Sequence, residues 1–255
     1  MTTKPLIIAH RGASGLVKFE NTIASFAKAI ELGVSMLEFD VRKTLDNLFV
    51  AFHNESIDGI KISDLTYEQL LDISRQKGFE VPLVEDVLKL CRGKIKLDIE
   101  LKEAGYELEI VNLVKKYLDY QDYVIKSFLD AAIIAVKKAD NQITTGLLLG
   151  LGNPQNLIPT RLSEIFPEFR LFTTQADFVS PNYQLIKFGF AWRMKLIKKN
   201  IYVWTVNDEK LMVEIVNKGA FALITDRPDL ALKLFYSNRS KESGARSQES
   251  GGKRI

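Results

Sequence analysis

The chain has 255 residues, 46% hydrophobic and 26% charged, an ordinary globular composition with length enough for a large core. The formal charge of +3 resides in the last stretch, Asn238 to Ile255, with five Lys/Arg against two Asp/Glu; the neutral body offers no basic face for nucleic acid. A single cysteine, Cys91, excludes an internal disulfide and a cysteine zinc site, and no run of about 18 apolar residues marks a membrane span.

The segment "PLIIAH" opens as a strand. "NTIASFAKAIELG" follows as a helix, with Ile23, Phe26, Ala27 and Ile30 at helical spacing, Asn21 or Thr22 as cap and Gly33 as stop. "MLEFDVRKT" and "LFVAFH" read as strands joined by the turn-like "LDN". Helical "TYEQLLDIS" and "LVEDVLKLC" lead to strand "KIKLDIELK", helix "YELEIVNLVKKYLD", strand "YVIKSF" and helix "DAAIIAVKKA". Next come strand "TTGLLLG", short helix "PTRLSEIF" and short strand "ADFVSP". The order ends with helix "YQLIKFGFAWRMKLIKKN", strand "IYVWTV", helix "DEKLMVEIVNKG", strand "FALITD" and helix "PDLALKLFY".

Strands alternating with helices predict a mainly parallel sheet. Treating "MLEFDVRKT" and "LFVAFH" as one excursion leaves eight strand-helix units, which fit a single-domain α/β protein, a TIM-type (β/α)8 barrel over residues 1–237. A doubly wound open sheet is the competing architecture, although no glycine-rich phosphate turn follows the first strand. Residues 238–255 are Ser/Gly-rich and read as a disordered tail, with weak electrostatic contact to a membrane or acidic partner as the alternative. No cationic segment with an apolar core opens the sequence, so a soluble, cytoplasmic protein without stable membrane insertion is expected.

Parallel strands buried on both faces should be almost continuously apolar, and two of these are not. In "MLEFDVRKT", Glu38 and Asp40 share one face opposite Leu37, Phe39 and Val41; in "KIKLDIELK", Asp98, Glu100 and Lys102 do the same. His10-Arg11 and His53-Asn54 also end apolar runs, so several segments deliver polar groups to the strand C-terminal rim, where barrel active sites are built. Such carboxylates suit a hard cation, Mg²⁺ or Ca²⁺. Two histidines suit a general acid and base, and an arginine with a lysine suits a phosphate. Together they describe phosphoester cleavage.

Each residue also has a plainer reading. Either histidine alone would be structural. Glu38 and Asp40 would pair with Arg42 or Lys43, and Asp98 reads as a salt-bridged barrel residue, with Lys96 as candidate partner. Asn21 serves equally as helix cap or site residue, and Trp204 as packing.

The ordered set "HRGASG", "ENT", "EFD" and "FHN" resembles the glycerophosphodiester phosphodiesterase signature of HR, ENT, ExD and HD. "VPLVEDVL", "DIELK", "VWTVN" and "LITDRPD" extend the resemblance over about residues 5 to 235. It implies hydrolysis of a small-molecule glycerophosphodiester to glycerol 3-phosphate and an alcohol, with one divalent cation. Carried over by position, Glu38, Asp40 and Glu100 ligate the metal with Glu20 and Asn21 in support. His10 and His53 are the acid/base pair, Arg11 and Lys102 contact phosphate, and Trp204 walls the glycerol end. The resemblance further implies attack by the substrate's own neighbouring hydroxyl through a cyclic phosphate. Two positions depart from the pattern: Phe19 stands in place of proline and Asn54 in place of the aspartate after the second histidine. The short stretch Glu55 to Glu80 leaves little room for an inserted domain, so an open rim accepting lysophospholipid-like substrates is expected as the alternative specificity. A non-catalytic phosphodiester- or lipid-binding protein is the rival of another class.

Overall fold

In the computed structural model, which describes residues 4–150, 152 and 156–237, the apolar run Leu6–Ala9 is strand β1. Helix α1 (Ile23–Leu32) begins at Thr22, whose hydroxyl accepts from the Ser25 N–H while Ser25 Oγ accepts from the Thr22 N–H, and it ends at Gly33 in a left-handed conformation. Then come β2 (Met36–Lys43), β3 (Phe49–Ala51), the hairpin β4 (Ser56–Ile57) and β5 (Ile60–Lys61), α2 (Tyr67–Gln76) and α3 (Val84–Cys91). The regular alternation follows in β6 (Lys96–Leu101), α4 (Glu107–Lys115), β7 (Tyr123–Ser127), α5 (Asp130–Ala139) and β8 (Thr145–Leu149). Helices α6 (Leu157–Ile165) and α7 (Glu168–Thr174) precede β9 (Phe178–Pro181), and α8 (Phe190–Leu196), β10 (Asn200–Val203), α9 (Glu209–Asn217), β11 (Ala222–Thr225) and α10 (Pro228–Tyr236) complete the order. The expected disordered tail, 238–255, lies outside the described residues.

Eight strands, β1, β2 and β6 to β11, pair in parallel, and β11 returns to β1 with Leu6 opposite Ala222 and Ala9 opposite Thr225. The sheet is therefore a closed barrel with helices between its strands, which excludes the open doubly wound alternative. Strand β3 runs antiparallel to β2, as the single excursion required. Outward-facing Leu37, Phe39, Val41, Leu97 and Ile99 pack under Phe26, Ala29, Val87 and Leu88 of the surrounding helices in one continuous core.

The barrel interior is apolar only at its base, where Ile8, Met36, Val124, Phe178, Tyr202, Ala222 and Ile224 form a separate cluster. The Phe178 and Tyr202 rings stack there at 4.2 Å. A Cβ at Gly146 would lie 2.2 Å from the Phe178 ring, so that ring fills the base only because the neighbouring strand carries no side chain. Above the base the register sets Glu38 opposite Asp98, Asp40 opposite Glu100, and Glu100 opposite Lys126. Charged layers thus sit on an apolar plug, open toward the C-terminal rim.

Two elements differ from expectation. The helix expected over Tyr183 to Asn200 is confined to α8, because Phe188 and Gly189 both adopt positive φ and the Tyr183 N–H is held by the Trp204 carbonyl. Helix α7 was not anticipated: Leu171 and Thr174 face inward while Phe169 and Phe172 are exposed, so its apolar residues do not mark one buried face. The stretch from Glu55 to Glu80 holds the hairpin, a 3-10 turn over Ile62–Asp64 and α2 around a small cluster of Ile57, Ile62, Leu65 and Leu70.

Candidate active site

His10 follows β1 directly and Asp226 follows β11, so barrel closure brings the two together across 216 residues. His10 Nδ1 lies 2.6 Å from Asp226 Oδ1. Asp226 also accepts from Ser14 Oγ (2.9 Å) and Asn207 Nδ2 (2.6 Å). Burial alone would raise its pKa, but the hydrogen bond and charge of His10, with these donors, bring it down to about 2. An ionised carboxylate only accepts, so Nδ1 carries the proton and Nε2, 4.0 Å from Glu38 Oε2, faces the cavity. Burial works against charge on His10, yet Asp226 and Glu38 outweigh it and raise its pKa.

His53 is held differently. Its Nδ1 meets Asn54 Oδ1 at 2.9 Å, and its carbonyl accepts from Arg42 Nε (3.0 Å) and Nη2 (2.9 Å). Burial, helped by the nearby Lys102 and Arg11 charges, lowers its pKa against the pull of Asp40 and Asn54. The two histidines therefore have opposite proton preferences.

Glu38, Asp40 and Glu100 are buried, and one oxygen of each lies within 4.8 Å of the others. Asp40 Oδ2 accepts from Asn21 Nδ2 (2.8 Å), whereas Oδ1 is buried and accepts no hydrogen bond, although Lys102 Nζ is 3.2 Å away. Lys102 Nζ also lies 2.5 Å from Glu100 Oε1. Burial, reinforced by Asp40 and Glu38 against the counter-pull of Lys102, pushes Glu100 up to about 7. Asp40 is held well below the usual carboxylate range: burial opposes this, but Lys102, Arg11 and His53 prevail. Three crowded buried carboxylates, one with an unfilled acceptor oxygen, fit a hard divalent cation.

Arg11 donates its backbone N–H to Glu38 Oε2 (2.9 Å) and Nη1 to Glu20 Oε1 (2.8 Å), and places Nε 3.4 Å from Asp40 Oδ2. The Asn21 N–H in turn donates to the Arg11 carbonyl (3.0 Å). Trp204 donates Nε1–H to the Ser180 carbonyl (2.8 Å) and meets Phe128 edge-to-face at 5.7 Å. Of the ten residues expected at the site, His10, Arg11, Glu38, His53, Glu100, Lys102 and Trp204 line one cavity of about 490 Å³. Asp40, Glu20 and Asn21 contact them. A second cavity of about 310 Å³, bounded by Phe19, Phe79 and the hairpin, opens on the other side of His53.

Thr22, not Asn21, caps α1. Arg42 pairs with Glu103 and Lys43 with Glu109, leaving Glu38 and Asp40 to the site. Asp98 is indeed salt-bridged, but to Lys126 (2.7 Å) across the interior and not to the exposed Lys96. Lys126, also 3.5 Å from Glu38 Oε1, lines the cavity and was not anticipated, nor was Asp226. Both left a signal: a lysine inside the apolar run "YVIKSF", and an aspartate ending "FALITD" just as His10 ends "PLIIAH".

The model of the glycerophosphoryl diester phosphodiesterase family matches residues 10–230. The chain is 29% identical over 255 residues to a glycerophosphodiester phosphodiesterase of Caldanaerobacter subterraneus subsp. tengcongensis, covering 91% of this chain and 98% of the relative. It is 32% identical over 276 residues to human lysophospholipase D GDPD1, covering 91% and 86%. Its fold superposes with a TM-score of 0.76 and 23% identity on an Oleispira antarctica phosphodiesterase solved with the product sn-glycerol-3-phosphate, covering 90% of this chain and 96% of that one. With its barrel, its rim and a family match spanning most of its length, the chain belongs to the glycerophosphoryl diester phosphodiesterase family of phosphoric diester hydrolases.

Proposed function

We propose that the chain hydrolyses glycerophosphodiesters to glycerol 3-phosphate and an alcohol by acid/base catalysis between His10 and His53. The observation that carries this reading is two histidines of opposite proton preference on one rim with three buried carboxylates, Arg11 and Lys102. Ser127, the hydroxyl residue lining the cavity, donates to the Leu101 carbonyl (2.7 Å), which favours attack by the substrate's own hydroxyl over a protein nucleophile.

In this reading neutral His53 takes the proton of the glycerol hydroxyl neighbouring the phosphodiester as its oxygen attacks phosphorus. Protonated His10 delivers its Nε2 proton to the departing alcohol oxygen, and the P–O bond to that alcohol breaks, leaving a cyclic phosphate. Water then attacks phosphorus, giving its proton to His10, as the ring P–O bond to the attacking glycerol oxygen breaks and His53 returns its proton to that oxygen. Arg11 and Lys102 offset charge on the phosphoryl oxygens, and Trp204 with Phe128 walls the glycerol. Glu38, Asp40 and Glu100 would hold one divalent cation, Mg²⁺ or Ca²⁺, which when bound supplies Lewis-acid stabilisation of phosphoryl charge. Asn54, exposed and turned to His53 Nδ1, is read as orienting that ring.

Catalysis is assigned to the barrel of residues 1–237 and none of it to the tail at 238–255. A cytoplasmic setting fits the single Cys91, buried with its thiol pushed up to about 12 by that burial. A second reading, release of a headgroup from lysophospholipids, draws support from the apolar cavity wall of Phe128, Leu129, Leu148 and Trp204 and from the human lysophospholipase D relative.

The test is glycerol 3-phosphate release from glycerophosphocholine in EDTA, Mg²⁺ or Ca²⁺, with phosphorus NMR to detect the cyclic phosphate. His10→Ala and His53→Ala should each lower turnover roughly 10²–10⁴-fold. Activity on lysophosphatidylcholine alone would favour the second reading, and ligand binding without turnover under any cation would reject both.

A further inference from the structure

At the end of the barrel opposite the catalytic rim, a cleft of about 610 Å³ lies between α8 and α9, where Asn200 opens β10 and Phe221 precedes β11. It is lined by Lys195, Lys198, Lys199 and Lys218, and among the described residues no aspartate or glutamate lines it. Lys218 pairs with Glu214 (2.6 Å) and Lys199 donates to the Ala176 carbonyl (2.6 Å). Exposed Lys195 and Lys198 have no carboxylate partner among the described residues. Trp192 of α8 lines the same cleft and is 65% exposed, although tryptophan is on average a well-covered side chain.

Lysines near helix C-termini are common because they complement the helix dipole, but that does not account for Lys198. Helices α8 and α9 end alike. After α8 the Lys199 N–H donates to the Met194 carbonyl (2.9 Å) and the Lys198 N–H to the Lys195 carbonyl (3.1 Å). After α9 the Ala220 N–H donates to the Ile215 carbonyl (3.2 Å) and the Gly219 N–H to the Val216 carbonyl (2.9 Å). This pairing requires one left-handed residue, Gly219 at φ 102° in one case and Lys198 at φ 55° in the other. Glycine is the residue that position favours, so a lysine there gives up backbone stability while placing its charge at the cleft.

We propose that this cleft is a second ligand site, for a nucleoside polyphosphate, with the base against Trp192 and the phosphates on Lys195 and Lys198. An exposed indole offers a stacking face that any base accepts, and unpaired ammonium groups meet phosphate as point charges. Both lie in one concavity whose volume is in the range of small-molecule sites, about 300–1,000 Å³. Binding here is separate from the reaction proposed above and is measured without turnover.

The experiment is titration of the full chain with ATP, tripolyphosphate or adenosine, followed by calorimetry and tryptophan fluorescence in EDTA, so that no divalent cation bridges phosphate to the buried carboxylates. ATP should bind more tightly than either of the other two and more weakly as salt rises. Trp192→Ala should weaken ATP about fivefold or more and leave tripolyphosphate unchanged. Lys198→Gly should weaken ATP and tripolyphosphate alike by about fivefold, while its melting temperature rises because glycine relieves the left-handed position. Both variants should hydrolyse glycerophosphocholine at the native rate. No binding of ATP at millimolar concentration overturns the proposal, as does tripolyphosphate binding as tightly as ATP, which would make the cleft a bare polyanion site. ATP binding that both variants retain, or that glycerol 3-phosphate displaces, would belong to the catalytic cavity and equally overturn it. A Lys198→Gly chain that melts lower than the native one would make Lys198 a structural residue and remove it from the site.

Discussion

A histidine donates a proton usefully near neutral pH only if its other nitrogen is fixed and its charge is supported, and Asp226 does both for His10. In the proposed mechanism Asp226 positions His10 and does not meet the substrate: its carboxylate is engaged by His10, Ser14 and Asn207. Asp226→Asn is expected to lower kcat about a hundredfold or more, within the range of lost acid/base catalysis, while KM changes little and the variant stays folded at the assay temperature. Steady-state kinetics on glycerophosphocholine beside a thermal melt decides it, and near-native kcat would remove Asp226 from this role. The rest of the site was legible because carboxylates and histidines stand out where buried strands should be apolar. Asp226 escaped because its partner lies 216 residues away and only closure of the barrel makes them neighbours. Lys126 escaped for a related reason: a lone lysine in a strand gains meaning only when Asp98 and Glu38 face it across the interior.

At the scale of elements, the base of the barrel depends on one missing side chain. Gly146→Ala would drive a methyl to 2.2 Å from the Phe178 ring and disturb its stack on Tyr202. Overpacking of this kind costs about 1–3 kcal/mol, so the melting temperature should fall by roughly 2–10 °C; an unchanged melt would mean the ring moves freely. A second element-level contact ties α4 to the end of α5, where Asp140 accepts from Lys115, from Tyr120 Oη (2.7 Å) and from the Gln142 N–H (3.1 Å). The hydrogen bonds from Lys115 and then Tyr120 outweigh a small desolvation effect and lower Asp140 from 3.8 to about 2. A carboxyl depressed in the native state stabilises it above the unfolded pKa and loses that contribution as pH falls through the native one. Asp140→Asn should therefore melt lower than the native chain at neutral pH, with the gap closing as pH falls from about 4 toward 2. A gap that persists or widens in acid would show that the contribution is not electrostatic. Periodicity located most elements, although not always the right face. In α1 the spacing of Ile23, Phe26, Ala27 and Ile30 marked the helix, yet Ile23 and Ala27 are exposed and the buried face runs through Phe26 and Ala29. It failed at α7 and over Tyr183 to Asn200, where exposed aromatics and a left-handed break cancel that repeat.

The whole molecule holds an uncommon amount of charge inside. Glu38, Asp40, Asp98 and Glu100 are stacked above an apolar plug, with Lys126, Lys102 and Arg11 as the cations against them. Buried charges are costly unless every one is compensated, and Glu100 at about 7 with Asp40 Oδ1 accepting no hydrogen bond shows where compensation is incomplete. A cation bound there adds to folding free energy, because the unfolded chain has no such cluster to offer. Mg²⁺ or Ca²⁺ at about a hundred times its dissociation constant should stabilise the fold by about 2.7 kcal/mol, raising the melting temperature by roughly 5–10 °C over the value in EDTA. Glu38→Gln and Glu100→Gln should each flatten that increment whatever they do to the baseline, because each removes one anionic ligand from the three. Calorimetric melts of the native chain and both variants with and without cation give the answer. An increment that survives both substitutions would place the stabilising ion elsewhere in the molecule.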